Sequence, residues 1–219
     1  MKGLTRELMC VRAANELKEG MYVNLGTGLP SQVKDFVEEE IIFQSENGVL
    51  GYAPTIWDEE LMDYELIDAS AVPVGMKPGV SFFDVSTSFV MLRGGHMDVA
   101  IVGAFQVSEK GDLANYKERE DVLGTPGGIL DICYGVKRLM VLMEHTTKDG
   151  HYRIVKKCNL PITGRGVVHT LITNLAYIEV TPQGLLLKEI APGLKADDVQ
   201  NATEAHLLIS PGIKEMGFQ

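Results

Sequence analysis

A single glutamate, Glu46, stands within the segment Phe-Gln-Ser-Glu-Asn-Gly-Val-Leu-Gly at positions 43–51. The apolar residues at 41–43 predict the end of a buried strand, and Asn47-Gly48 predicts a tight turn that tolerates positive φ. Open α/β sheets bind ligands at the carboxyl ends of their strands, and a carboxylate held there can act as a nucleophile. A surface turn with an incidental acid explains the same spacing, so both interpretations stay open at this point.

Two glycine clusters are candidates for recognition through backbone N–H groups. Gly26-Thr27-Gly28 lies between a predicted strand and a predicted helix, where amides can hold an anion or line a substrate pocket. A turn that needs flexible residues explains this cluster equally well. The loop at 124–128, which contains Gly127 and Gly128, can bring N–H groups against a developing oxyanion, although such loops are more often plain surface loops.

Other classes of site lack the residues that they require. The first glycine cluster is not a dinucleotide fingerprint, because Ser31 occupies the third glycine's position, and the chain has no P-loop sequence. No spacing of histidines and cysteines suits a metal site, and Ser86 and Ser88 lack a nucleophile-elbow motif. His96 and His145 are candidates for proton transfer, but a structural role explains each of them better.

The elements that must position these residues alternate between strands and helices. Apolar runs predict strands at 21–25, 41–44, 80–83, 98–107, 139–143 and 154–157, and a hairpin of 176–180 with 185–189. Helical spacing predicts helices at 5–18, 31–36, 86–92 and 167–175. The sequence therefore predicts an α/β fold in one domain, residues 1–219, with a single open, mostly parallel sheet flanked by helices.

Composition narrows the partners and the location. The 219 residues include 20 basic and 30 acidic side chains, a net charge of −10, so nucleic acid and anionic membrane are poor partners. No apolar stretch approaches the roughly 20 residues of a membrane span, and no signal peptide is apparent at the start. The three cysteines have no ligand spacing and predict reduced, mostly buried thiols in a cytoplasmic protein.

At Glu46 the sequence resembles a known family. Positions 43–51 fit the Ser-Glu-Asn-Gly signature of the β subunits of family I CoA-transferases, of the 3-oxoacid, acetoacetate and butyrate–acetoacetate types. Further landmarks of that family follow in order at 24–30, 82–84, 88–89, 93–96, 103–107, 111–115, 127–131, 143–145 and 157–161. The resemblance covers nearly the whole chain and favours the catalytic interpretation of Glu46 over the surface turn.

The resemblance implies a reaction and a role for each site residue. Glu46 attacks an acyl-CoA to give an acyl-glutamyl anhydride, CoA returns to form a glutamyl-CoA thioester, and a second acid reverses the sequence in ping-pong kinetics. The backbone N–H of Gly128 is the oxyanion donor. The residues that we expect to bind substrate are Gly26, Gly28, Asn47, Gly48 and Gly127. No metal or prosthetic group is implied, because the CoA thioester is itself a substrate.

The chain departs from the family pattern at 68–70, 115–121 and 125–131, on loops expected to line the acyl or CoA pocket. These changes leave the acyl specificity open. Short-chain 3-oxoacids such as acetoacetate are the expected substrates, and a CoA-transferase for a different short acid is the alternative. A non-catalytic ligand-binding relative of the same fold is a weaker one.

The chain contains only the glutamate-bearing half of the family's enzyme. We therefore expect a separate α subunit that holds CoA, assembled with this chain as an α₂β₂ heterotetramer.

Overall fold

The computed structural model of the chain describes residues 3–38, 40–118 and 124–218. The helices are α1 Arg6–Ala14, α2 Val85–Arg93, α3 Ile129–Gly135 and α4 Ala196–Asn201, with 3-10 helices at Pro30–Phe36 and Glu59–Leu61. The strands are β1 Tyr22–Leu25, β2 Ile42–Ser45, β3 Val49–Thr55, β4 Val74–Phe82, β5 Val99–Val102, β6 Gln106–Ser108, β7 Leu113–Ala114, β8 Arg138–Met143, β9 Ile154–Val155, β10 Thr170–Thr173, β11 Ala176–Thr181, β12 Gly184–Ile190 and β13 Leu207–Glu215.

One large open sheet organises the described chain. Its ten strands run in the order β13-β12-β11-β10-β8-β5-β1-β2-β3-β4, and β6, β7 and β9 form a separate three-stranded sheet. The five central strands from β10 to β2 are parallel, whereas β3, β4 and β11 join antiparallel neighbours and β12 pairs in parallel with β13. The predicted mostly parallel α/β sheet is confirmed.

Helices and loops cover both faces of this sheet. Along β5, Val99 and Ile101 pack into a cluster with α1 and the first 3-10 helix, and Ala100 and Val102 pack into a second cluster with α2, α3 and α4. A strand covered on both faces has a continuous apolar sequence, which is why β5 is recognisable in the sequence. Side-chain caps begin two of the covering helices, since Thr5 accepts from the N–H of Leu8 in α1 and Asp84 accepts from the N–H of Thr87 in α2.

Three predictions of secondary structure need correction. Residues 167–175, predicted as a helix, contain β10, because a strand buried on both faces between β8 and β11 has no alternation to distinguish it from a buried helix. The predicted strand 98–107 is two strands in different sheets, with a break at 103–105. The sequence also gives no clear indication of α3, α4, β3 and β13, which are short or irregular in pattern.

The three cysteines, Cys10, Cys133 and Cys158, are free and buried, as predicted. Burial raises the pKa of Cys10 and Cys133 to about 12 and that of Cys158 to about 11. A thiol with such a pKa is a poor nucleophile at neutral pH. Within the described ranges, no helix is long and apolar enough to cross a membrane, and no group of His, Cys, Asp and Glu could hold a metal ion.

His145 is a buried structural residue, as the sequence favours. Its ring is fully buried just after β8, with Nδ1 2.8 Å from Thr173 Oγ1 and Nε2 2.8 Å from Thr203 Oγ1. The Thr203 hydroxyl donates to Val199 O, so it accepts from the ring N–H. Burial lowers the pKa of His145 from 6.5 to about 4, because the charged imidazolium would lose its water there.

This buried imidazole predicts acid sensitivity of the fold. His145 contributes fully above pH 6.5, and stability is lost as the pH falls towards 4, because the unfolded chain then takes up a proton that the native ring refuses. The loss is about 3 kcal/mol over that window. His145→Gln should flatten the slope of unfolding free energy against pH in urea titrations, whereas His151→Gln at an exposed position should not. Equal slopes in all three proteins would contradict this account.

Candidate active site

Glu46 lies in the tight turn between β2 and β3, directly after Ser45 at the end of β2. The turn closes through a 3.0 Å hydrogen bond from the N–H of Gly48 to the carbonyl of Ser45. Gly48 has φ +123°, and a Cβ there would overlap the carbonyl oxygen of Phe83, so only glycine fits. The strand end and the tight turn are both as predicted from the sequence.

Three parallel strands end beside one another at this edge of the sheet. β2 ends before Glu46, β1 ends before Gly26, and β5 ends before Gly103. A cavity of about 480 Å³ opens there. Its described lining is Gly26, Thr27, Glu46, Val102, Gly103, Ala104, Phe105, Asn115, Tyr116, Thr125, Pro126, Gly127, Gly128, Ile129 and Ile132. The site therefore occupies the position where open α/β sheets bind ligands.

The structure brings four of the seven predicted site residues together in this cavity: Glu46, Gly26, Gly127 and Gly128. The others lie at its edges and bond to the protein. Their contacts are Gly28 N–H to Ser70 Oγ at 3.1 Å, Asn47 Nδ2 to the carbonyl of Ile67 at 2.8 Å, and Gly48 in the turn described above. These three residues hold loops in place and do not line the cavity.

Gly128 lies against the predicted nucleophile. A Cβ built on Gly128 would be 3.8 Å from Glu46 Cγ and 2.9 Å from the ring of Phe89, so a side chain at this position meets α2. Gly127 before it has φ +54°. Among the described residues, no group accepts a hydrogen bond from the N–H of Gly128. That N–H is available to an oxygen of a bound molecule beside Glu46.

The cavity contains one charge in its described lining, the half-buried carboxylate of Glu46. Five apolar side chains, those of Val102, Ala104, Phe105, Ile129 and Ile132, form much of the remaining wall. A pair of carboxylates, which glycoside hydrolysis needs, is not present among these residues. A lone carboxylate among neutral groups and free amide donors suits covalent attack on a carbonyl carbon.

The side chain that holds the carboxylate is not evident from the sequence. Asn24 in β1 is fully buried, and its Nδ2 lies 3.3 Å from Glu46 Oε2. The only signal in the sequence is an amide in the middle of the apolar run Tyr-Val-Asn-Leu, where burial without a partner would be costly. The pairing of β1 with β2 cannot be deduced from that signal.

A buried ion pair fixes the rim of the site. Lys34 Nζ lies 2.9 Å from Asp68 Oδ2, with both side chains almost fully buried. Asp68 Oδ1 accepts from the N–H groups of Ser70 and Val72 at 2.8 and 3.1 Å. Because Ser70 in turn receives the N–H of Gly28, this pair orders one of the loops in which the sequence departs from the family pattern.

The remaining candidates do not join the cavity. His96 is exposed after α2, and Ser86 is exposed within it. The departure at 115–121 is described only as far as residue 118, so its last three residues lie outside the described part of the chain. Asn115 and Tyr116 within it line the cavity.

Comparison with known proteins agrees with this geometry. The family described as Coenzyme A transferase matches residues 6–202. The chain belongs to this family. It is 46% identical to the β subunit of the succinyl-CoA:3-ketoacid coenzyme A transferase of Helicobacter pylori over 201 residues, 91% of this chain and 97% of the relative. It is 41% identical to the β subunit of the 3-oxoadipate CoA-transferase of Pseudomonas putida over 209 residues, 94% of this chain and 98% of the relative.

Solved structures establish the fold. The acyl-CoA transferase YdiF of Escherichia coli O157:H7 superposes with a TM-score of 0.78 at 21% identity, over 98% of this chain and 43% of its own length. The decarboxylase AibA/AibB superposes with a TM-score of 0.73 at 18% identity, over 98% of this chain and 90% of the other. The same fold thus occurs with different chemistry. The more similar β-subunit relatives are what make this chain a CoA-transferase family enzyme.

Gly128→Ala tests the contact between the glycine loop and Glu46. The added methyl must displace either Phe89 or the backbone, so the N–H moves away from the carboxylate, and we expect kcat/KM for CoA transfer to fall about 100-fold. Gly212→Ala is the control, because a Cβ there meets nothing within 4 Å. Activity of Gly128→Ala within about twofold of the control, with the native melting temperature retained, would contradict this role.

Proposed function

We propose that this chain transfers CoA from an acyl-CoA to an acceptor carboxylic acid through a glutamyl-CoA thioester on Glu46. The observation that carries the proposal is the lone carboxylate of Glu46 at the end of β2, beside the free N–H of Gly128, in a chain of the CoA-transferase family. A carboxylate is a weak base but a good leaving group from an anhydride, which is what reversible exchange requires.

The steps balance without any redox partner. An oxygen of Glu46 attacks the thioester carbon, the C–S bond breaks, and the CoA thiolate leaves an acyl-glutamyl anhydride. The thiolate then attacks the glutamyl carbon, the anhydride C–O bond breaks, and the first carboxylic acid departs. The second acid attacks the glutamyl thioester and the same steps run in reverse. The N–H of Gly128 faces the oxygen on which negative charge develops in each addition.

The wall of the cavity supports this chemistry because a glutamyl thioester must be kept from water. The apolar side chains at the end of β5 and the start of α3 limit the water beside Glu46. We propose that neither metal nor prosthetic group takes part, since thioester exchange needs only a nucleophile and an oxyanion donor.

A companion α subunit is part of the proposal. The two relatives named above are each called one subunit of a transferase, and this chain spans 43% of the acyl-CoA transferase YdiF. We propose that an α subunit holds the CoA tail and that the two chains form an α₂β₂ heterotetramer. The three buried thiols suit the reducing cytoplasm, which we propose as the location.

Trapping the intermediate tests the nucleophile. The chain co-purified with its α subunit is given acyl-CoA without acceptor acid, and we expect an adduct of CoA less one water on the peptide that contains Glu46. Glu46→Gln should abolish the adduct and lower exchange by roughly 10³-fold or more, because the amide cannot form the anhydride. Glu144→Gln is the matched control, since Glu144 follows β8 at the same edge of the sheet but does not line the cavity.

An adduct on another residue, or normal exchange by Glu46→Gln, would refute the proposed mechanism. The mass of the intact complex in native mass spectrometry checks the α₂β₂ assembly in the same preparations.

The acid pair follows from the size and charge of the cavity. We propose short-chain 3-oxoacids, with acetoacetate as one substrate and acetate, butyrate or succinate as its partner, although a different short acid is the alternative. The described lining offers no cation for a second carboxylate, and burying an unpaired charge is costly. We therefore expect kcat/KM for acetoacetate or butyrate to exceed that for succinate or 3-oxoadipate by about tenfold. The reverse order in an acceptor screen would show that a cation outside the described lining sets specificity.

A further inference from the structure

A chain of buried hydrogen bonds leads from Glu46 to helix α2. Asn24 Nδ2 lies 3.3 Å from Glu46 Oε2 and 2.6 Å from Gln44 Oε1, and Gln44 Nε2 lies 2.6 Å from Ser88 Oγ. Asn24, Gln44 and Ser88 are all completely buried. Neither the chemistry at Glu46 nor the packing of the sheet on its helices requires three buried polar side chains here.

The surroundings of Asn24 fix which end of its amide faces the carboxylate. Its nitrogen is within 3.3 Å of three oxygens, namely Gln44 Oε1, the main-chain carbonyl of Gln44, and Glu46 Oε2. The latter two are acceptors only, so Asn24 must present its donor. Its own Oδ1 is left buried without a partner, which costs about 1–3 kcal/mol. The arrangement is retained at a cost in stability, as is common at functional sites.

Gln44 and Ser88 keep Asn24 in that orientation. The pairing of β1 with β2 places Asn24 directly beside Gln44. Because Gln44 Nε2 donates to the Ser88 hydroxyl, Gln44 Oε1 is the end that faces Asn24. Ser88 is itself fixed in α2, where its N–H bonds to the carbonyl of Asp84 at 3.1 Å. Without the hydroxyl, the Gln44 amide can rotate and present a donor to a donor.

We propose that Gln44 and Ser88 are positioning residues, which act through Asn24 to hold Glu46 Oε2 and leave Oε1 free for attack. Among the described residues, Oε1 accepts no hydrogen bond. One held oxygen and one free oxygen keep the nucleophile in a single orientation towards the thioester carbon. This inference rests on the proposed function, because it requires Glu46 to be the nucleophile.

A pair of serine substitutions tests the proposal. Ser88→Ala removes the acceptor of Gln44, and Ser45→Ala is the matched control, because Ser45 is equally buried, precedes Glu46, and its hydroxyl has no hydrogen-bond partner. In the complex with the α subunit, we expect Ser88→Ala to slow formation of the glutamyl-CoA adduct about tenfold in single turnovers, with KM for acyl-CoA within about threefold. Ser45→Ala should keep the wild-type rate.

A double substitution separates positioning from general loss of stability. Gln44→Met retains the shape of the side chain without its hydrogen bonds, and in a relay its effect on the rate should not add to that of Ser88→Ala. The double variant should therefore be about as slow as either single variant. If Ser88→Ala does not fold, Ser88→Cys takes its place, because the thiol is nearly the same size and a weak acceptor.

The outcomes distinguish this inference from the function on which it rests. Equal adduct rates for Ser88→Ala and Ser45→Ala, or rate effects of Ser88→Ala and Gln44→Met that multiply, would refute the relay while Glu46 still carries the adduct. Absence of any adduct in the wild-type complex would refute the glutamyl-CoA mechanism, and with it the inference.

Discussion

The parallel pairing of β1 with β2 is the interaction on which the site depends. It sets Val23 opposite Phe43 and Asn24 opposite Gln44, so the two strands end together and Glu46 emerges beside Gly26. A slip of one residue would turn both amides to the opposite face of the sheet and replace them with apolar side chains. The apolar neighbours resist that slip, since Val23 and Phe43 are buried in the cluster under α1. The core thereby fixes the register that the nucleophile needs.

Strand ends supply the position of the site, and loops supply its chemistry. The lone carboxylate follows β2, and the free amide of Gly128 comes from a loop far later in the chain. The two meet because α3, which begins after Gly128, packs against α2 and the β5 face of the sheet. A decarboxylase shares this fold at 18% identity, so the sheet alone does not determine the reaction. What distinguishes one chemistry from another is which side chains the strand ends carry.

Local sequence signals predict the elements that are locally encoded. The apolar run before Glu46 and the Asn47-Gly48 turn after it are sufficient to place the acid at a strand end, and β5 is evident from its continuous apolar residues. The strand β10 is mistaken for a helix because burial on both faces removes its periodicity. Asn24 and Ser88 cannot be linked from the sequence, since only strand pairing and the packing of α2 bring them to Gln44. Contacts between distant segments, and not propensities, are the missing information.

The location of unsatisfied polar groups gives independent weight to this site. Buried side-chain atoms without a hydrogen-bond partner in the described chain are Asn24 Oδ1, Ser45 Oγ and Arg153 Nε. Two of these three belong to the residue that holds Glu46 and the residue that precedes it. Each costs stability that an apolar side chain of similar shape would not, and the remaining described interior is well satisfied. Such a concentration around one carboxylate is expected where an active site, and not the stability of the fold, determines which side chains are kept.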